Sequence, residues 1–181
     1  MRIFYDYSHL GGKEILQVRF PQHLREIEEV IGQVQAVRSK VSREQSRRGQ
    51  VLFSPKVMNR QFEAAFRQRG WQTLRDRYRL DLPEYPEQRP LYGAKQVDFA
   101  KEGVLVEVQF GKYAFMFYDL AKFQYFFNEA QAEVAVEIVP AKPLQAQMSS
   151  GVAYGEQLVH DMLRLRRHFP AVPVWVVLLT P

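Results

Sequence analysis

Two carboxylates and an amide lie close together near the middle of the chain. Asp98 sits in the apolar run of residues 97–100, Glu107 follows nine positions later, and Gln109 comes two beyond that. Residues 104–110 alternate: Val104, Val106, Val108 and Phe110 fall on one side, Leu105, Glu107 and Gln109 on the other. A period of two in a β-branched stretch predicts a strand, with Glu107 and Gln109 on one face. Residues 97–100 read as an adjoining strand, and the short link Lys101-Glu102-Gly103 reads as a hairpin turn. Pairing these strands brings Asp98 beside Glu107. Two close carboxylates repel, and a cation between them lets both stay ionised. Oxygen donors without cysteine suit a hard cation, Mg²⁺ first and Mn²⁺ second. Such a cation activates water and offsets charge on a scissile phosphate. The same stretch taken alone also fits an edge hairpin with a wetted polar face.

Other residues offer polyanion contacts. Residues 39–49 (SKVSREQSRRG) are polar and basic, and Lys40, Arg43, Arg47 and Arg48 could clasp phosphates. A solvent-facing loop explains them equally. Arg75, Arg77 and Arg79 alternate, so a strand there presents one basic face. Residues 148–154 (MSSGVAY) contain Ser149, Ser150 and Gly151, small turn-forming groups able to approach base edges or simply to cap a helix. Phe115, Tyr118, Phe123, Phe126 and Phe127 recur at helical spacing, which predicts core packing rather than base stacking.

The elements that must hold these groups follow from periodicity and punctuation. Residues 2–7 read as a short strand, with a turn at Gly11-Gly12 and Glu14 just after it. His9 reads as structural, because no metal-ligand spacing surrounds it. Pro21 opens an amphipathic helix reaching Val37. Residues 51–53 form a strand halted by Pro55. Residues 59–69 form a helix with Asn59 as N-cap and Gly70 as its stop. Pro83, Pro86 and Pro90 mark an extended connection. After the acidic motif come an aromatic helix over 114–130, a strand over 134–139, a helix over 155–168 and an apolar strand over 172–179.

Bulk properties narrow the class. The chain has 181 residues, 46% hydrophobic and 25% charged, which predicts one globular domain spanning residues 1–181. It has no cysteine, which excludes disulfides and thiolate zinc sites and suits a reducing cytoplasm. Arg2, Asp6 and His9 interrupt any signal-peptide run, and no apolar stretch is long enough to cross a membrane. Net charge is +5 but unevenly placed. Residues 38–79 hold twelve basic and three acidic side chains, and residues 80–137 hold five and ten. A basic section beside an acidic one suits a protein that attracts a polyanion and holds cations at a reaction centre.

The segment VDFAKEGVLVEVQFGKYAF (residues 97–115) resembles the active-site segment of the BglII/BstYI-type restriction endonucleases, within the PD-(D/E)xK nucleases. These carry Gln where most of that group has Lys, and Gln109 matches. MRIFYDYSHLGGKEILQV (1–18), GQVLFSPKVMN (49–59), EIVPAK (137–142), MSSGVAYGEQL (148–158) and PAVPVWVVLL (170–179) extend the resemblance over nearly the whole chain, closest to BstYI. It lapses over about residues 82–94, where this chain is shorter.

The resemblance implies a restriction-endonuclease-like α/β fold, a central mixed β-sheet flanked by helices. It implies a Mg²⁺-dependent type II restriction endonuclease, with Asp98, Glu107 and the Val108 carbonyl on the metal and Gln109 orienting water. Lys112 and the Ser149-Ser150-Gly151 loop would read bases, and Arg43 and Arg47 would contact DNA. It further implies double-stranded DNA as partner, a homodimer in which the helix from Pro21 can take part, a cognate DNA methyltransferase sharing the site without needing to bind, and an acidic first-helix residue, here Glu14. The implied site has a central GATC, cut to leave 5′ overhangs, with R and Y outside if BstYI-like. A mismatch- or structure-specific repair nuclease of the same fold is the competing expectation. A DNA-binding module without catalysis is the third.

Overall fold

The computed structural model describes residues 1–86 and 89–181. Six strands make one mixed sheet in the order β1-β8-β7-β6-β5-β4. They are β1 (Arg2–His9), β4 (Gln72–Leu80), β5 (Leu91–Lys101), β6 (Val104–Val108), β7 (Val134–Pro140) and β8 (Val174–Thr180). β6, β7 and β8 run parallel, while β1, β5 and β4 are antiparallel to their neighbours. The three parallel strands are buried along their whole length, as their unbroken apolar runs require. On one face lie α1 (Gly12–Arg19), α2 (Pro21–Gln33) and α3 (Pro55–Gln68). On the other lie α4 (Tyr113–Asn128) and α6 (Gly155–Leu165). The expected mixed sheet flanked by helices is the architecture found.

Several boundaries differ from expectation. The helix from Pro21 stops at Gln33, and Val34 is extended although still buried. Asn59 is not an N-cap: α3 begins four residues earlier, with Ser54 before it and Pro55 in its first turn, where the missing N–H costs nothing. Residues 39–49 are largely exposed, as the solvent-facing-loop reading expects, but 39–41 are strand and 42–49 form the connection of a hairpin. β2 (Arg38–Val41) and β3 (Val51–Phe53) pair as a separate hairpin. Of the aromatics on α4, Phe123 and Phe126 are fully buried, but Phe115 and Tyr118 are exposed, so the core reading holds for only part of that set. A short α5 (Lys142–Gln145) follows β7. The described residues of the proline-marked connection carry no helix or strand, and residues 87 and 88 lie outside the described residues.

The β5–β6 hairpin turns through Glu102 and Gly103, both at positive φ (47° and 85°). Two left-handed residues make the tight turn whose twist matches that of the strands. The same strand pair carries the acidic motif. No helix of the described residues is long and apolar enough to cross a membrane.

Candidate active site

The β5–β6 ladder begins at Lys101–Val104 and ends at Phe99–Val106. The ladder ends one residue short of Asp98 and Glu107, and the Asp98 charge acts on the Glu107 carboxyl. Beyond that point β5 is paired only with β4, so the two carboxylates stand where the sheet opens. β5 is also irregular here. Gln72 pairs Ala100 while Leu74 pairs Val97, which leaves one extra residue on β5 between them. Phe99 therefore packs on the α2–α3 side, whereas Val97 and Ala100 pack toward α4. Such a bulge re-aims a side chain. Asp98, within it, is half-buried and lines an open cleft of about 290 Å³ with Asn59, Glu63 and Arg67 of α3 and with Val108.

Glu107 is 3% exposed and belongs to a charged network that the sequence does not display. Lys122, on α4, makes an ion pair with Glu107 and another with Asp119 at 2.7 Å, one turn back on the same helix. Gln109 Nε2 donates to the second Asp119 oxygen at 3.1 Å. Glu137 on β7 lies beside Glu107 in register, fully buried, and neither of its oxygens has a hydrogen-bond partner among the described residues. Burial pushes the Glu107 carboxyl well above the ordinary glutamate range, with Asp119 and Asp98 adding to it. Burial does the same to Glu137, aided by Asp119 and Glu107. Burial pulls the Lys122 ammonium down, but the Glu107 and Asp119 carboxylates outweigh it and raise it above the usual lysine range.

Asp119, Lys122 and Glu137 escape sequence reasoning because packing of separate elements delivers them. Each nonetheless leaves a trace: Glu137 is the one charge within the run VAVEIV, and Asp119 and Lys122 interrupt an aromatic helix at a spacing of three. The donor set is all oxygen. Among the described residues no three acidic or histidine side chains gather closely enough to cage a metal ion. Asp98 at the open cleft, with the buried, Lys122-paired Glu107 behind it, instead fits Mg²⁺, which keeps several waters and takes one or two carboxylates together with substrate phosphate.

The other expected contacts form a second group. Ala153 N–H donates to Gly111 O at 2.8 Å, which joins the Ser149–Gly151 loop to the segment bearing Lys112. Lys112, Ser150 and Gly151 are exposed and Ser149 is half-buried. Arg47 spends one guanidinium nitrogen on the Ala146 and Met148 carbonyls, at 3.0 and 2.8 Å. Lys40 binds the Ser149 hydroxyl, and Ser150 N–H donates to Glu44 at 2.9 Å. The β2–β3 hairpin thus braces the loop, while Arg43 stays exposed at its rim. His9 is buried with a ring nitrogen 2.7 Å from Pro170 O, a structural role as expected. Glu14 is exposed and accepts from Ser8, near where β8 begins, rather than joining the carboxylates.

A mixed sheet with helices on both faces, opening beside a group of carboxylates, defines the restriction-endonuclease class of fold. The family model for the restriction endonucleases BglII and BglIII matches residues 4–179, and this chain belongs to that family. It is therefore a type II site-specific deoxyribonuclease, of a kind that generally uses divalent metal ions. The solved structure of restriction endonuclease BglII complexed with a DNA 16-mer superposes with a TM-score of 0.78. It is 23% identical and is matched over 100% of this chain and 79% of its own. No curated protein sequence matches significantly.

Proposed function

We propose that the chain, acting as one catalytic domain over residues 1–181, cuts double-stranded DNA at a palindromic site with central GATC, in the form R^GATCY, leaving 5′ overhangs. The observation that supports this reading is that the β5–β6 ladder ends just short of Asp98 and Glu107, whose charges act on each other, with Gln109 next on the Glu107 face. Asp98, Glu107 and the Val108 carbonyl would hold Mg²⁺, or Mn²⁺ in its place. A bound Mg²⁺ supplies Lewis-acid polarisation of the scissile phosphate and lowers the pKa of water. Gln109 orients the attacking water by hydrogen bonding. An amide takes up no proton near neutral pH, so the proton passes to solvent or to a phosphate oxygen. Lys112 donates to a purine edge, and Ser149, Ser150 and Gly151 read neighbouring bases in the major groove. Arg43, with the remaining donors of Arg47, contacts the phosphate backbone.

A palindrome suits a two-fold homodimer, one active site per strand, working in the cytoplasm with a methyltransferase that protects the same site. Digestion of unmethylated plasmid in Mg²⁺, with an EDTA control and sequencing of the ends, tests the reading. Discrete fragments with GATC overhangs are expected. A smear, or cutting only at mismatches and branches, would replace it with a repair nuclease of the same fold. The variant Glu107→Ala is expected to abolish cleavage and keep measurable DNA binding. Full cleavage by that variant would remove Glu107 from the site.

A further inference from the structure

We infer that Asp119, braced by Lys122, is a positioning residue that sets which way the Gln109 amide faces, so that Gln109 presents its oxygen, a hydrogen-bond acceptor, to water. An amide presents a donor end and an acceptor end of nearly equal size. Alone on a strand face, Gln109 could turn either end toward a reacting water. A carboxylate can only accept, and Asp119 takes the Gln109 nitrogen at 3.1 Å. Asp119 is itself 2% exposed and cannot swing away, because Lys122 grips its other oxygen at 2.7 Å while also pairing with Glu107. The oxygen end then lies over Gly111, where a Cβ would come within 2.5 Å of Gln109 Oε1. A residue with a side chain at 111 would push the amide oxygen out of this place. The amide is thus clamped at its nitrogen and given room at its oxygen.

An acceptor turned to water takes one of its hydrogens and leaves an oxygen lone pair free for phosphorus. A donor would occupy that lone pair and blunt the nucleophile. Asp119 thus acts on the reaction through Gln109 without touching substrate.

This inference rests on the role proposed for Gln109, and an isosteric swap tests it. The variants are Gln109→Glu, Asp119→Asn and their combination, each measured for single-turnover cleavage of a duplex the wild-type enzyme cuts, for affinity to that duplex in Ca²⁺, and for melting temperature. Gln109→Glu sets two carboxylates face to face and is expected to slow cleavage at least ~10-fold, the worth of a hydrogen bond to a charged group. In Asp119→Asn the one remaining oxygen stays with Lys122, so the new amide nitrogen turns toward Gln109 and reverses it, and cleavage should slow at least ~10-fold. The double variant restores a donor–acceptor pair with its direction reversed, and should recover most of the loss, a coupling that a merely structural role would not produce. Duplex affinity should stay within about threefold throughout. In the metal-free enzyme, the side-chain amide signal that disappears in Gln109→Glu should also shift in Asp119→Asn. A double variant no faster than Gln109→Glu, or an amide signal indifferent to Asp119, overturns the inference. Wild-type enzyme that cuts no DNA would instead overturn the proposed function.

Discussion

Four carboxylates and one ammonium gather around β6, β7 and α4, and Lys122 is the cation on which that arrangement depends. Its side chain is 13% exposed, against 3% for Glu107 and 2% for Asp119. A buried ion pair adds little compared with an apolar pair of the same shape, yet removing one partner leaves an uncompensated charge. Lys122→Met is therefore expected to lower the unfolding free energy in EDTA by about 3 kcal/mol. Urea denaturation measures this, and an unchanged midpoint would mean that Glu107 and Asp119 need no counter-charge. Residue by residue, Asp98, Glu107 and Gln109 were legible because one strand period and one tight turn relate them. Asp119, Lys122 and Glu137 were not, because helix packing and a parallel crossover bring them in from as far as 30 positions away.

The elements around the site are tied together by Glu26 on α2. Its carboxylate accepts from Lys101 Nζ at both oxygens, at 2.9 and 2.8 Å, and from Trp71 Nε1 at 2.8 Å. This joins α2 to the turn end of the β5–β6 hairpin and to the start of β4. Burial pushes the Glu26 carboxyl up, but hydrogen bonds from Lys101, Trp71 and Gln22 outweigh it and hold it below the ordinary value of 4.5. The unfolded chain then binds the proton more readily than the folded one, so stability rises with pH through this window. The contribution is complete above about pH 4.5 and is lost as pH falls through the folded value. Glu26→Gln should cost about 1–2 kcal/mol at pH 7 and lose less than the wild type between about pH 5 and pH 3. Parallel melts at the two pH values check this, and equal acid sensitivity would assign the acid loss to other carboxylates. At this scale most strands and helices followed from periodicity and punctuation. The bulge around Asp98 did not, because it exists only in the mismatch between β4 and β5 registers.

Over the whole molecule, charge and shape divide the labour. Positive charge collects on two hairpins, β2–β3 against the Ser149–Gly151 loop and β4–β5, where Arg75, Arg77 and Arg79 share one face as their alternation predicted. Negative charge is buried where β5 and β6 part. Phosphates neutralised by the basic strand would show as counterion release. Replacing Arg75, Arg77 and Arg79 together by Gln should weaken DNA binding across sequences and reduce the salt slope by about 1 for each phosphate left without its arginine. Binding isotherms at several salt concentrations measure it, and an unchanged slope would place the DNA away from this hairpin.

Sequence alone determined what short-range geometry can encode: alternation that puts Glu107 and Gln109 on one face, the turn that reverses the chain between Asp98 and Glu107, the apolar runs that demand a sheet covered on both sides, and motifs that point to the family. Tertiary structure decided the rest. Only packing shows that Asp119 and Lys122 reach back to Gln109 and Glu107, that Glu137 lies beside Glu107 without a partner among the described residues, and that the 39–49 segment braces the 148–154 loop. The physical reason is that a side chain's charge state and orientation depend on what surrounds it in space, and those surroundings come from elements that have no fixed spacing along the chain.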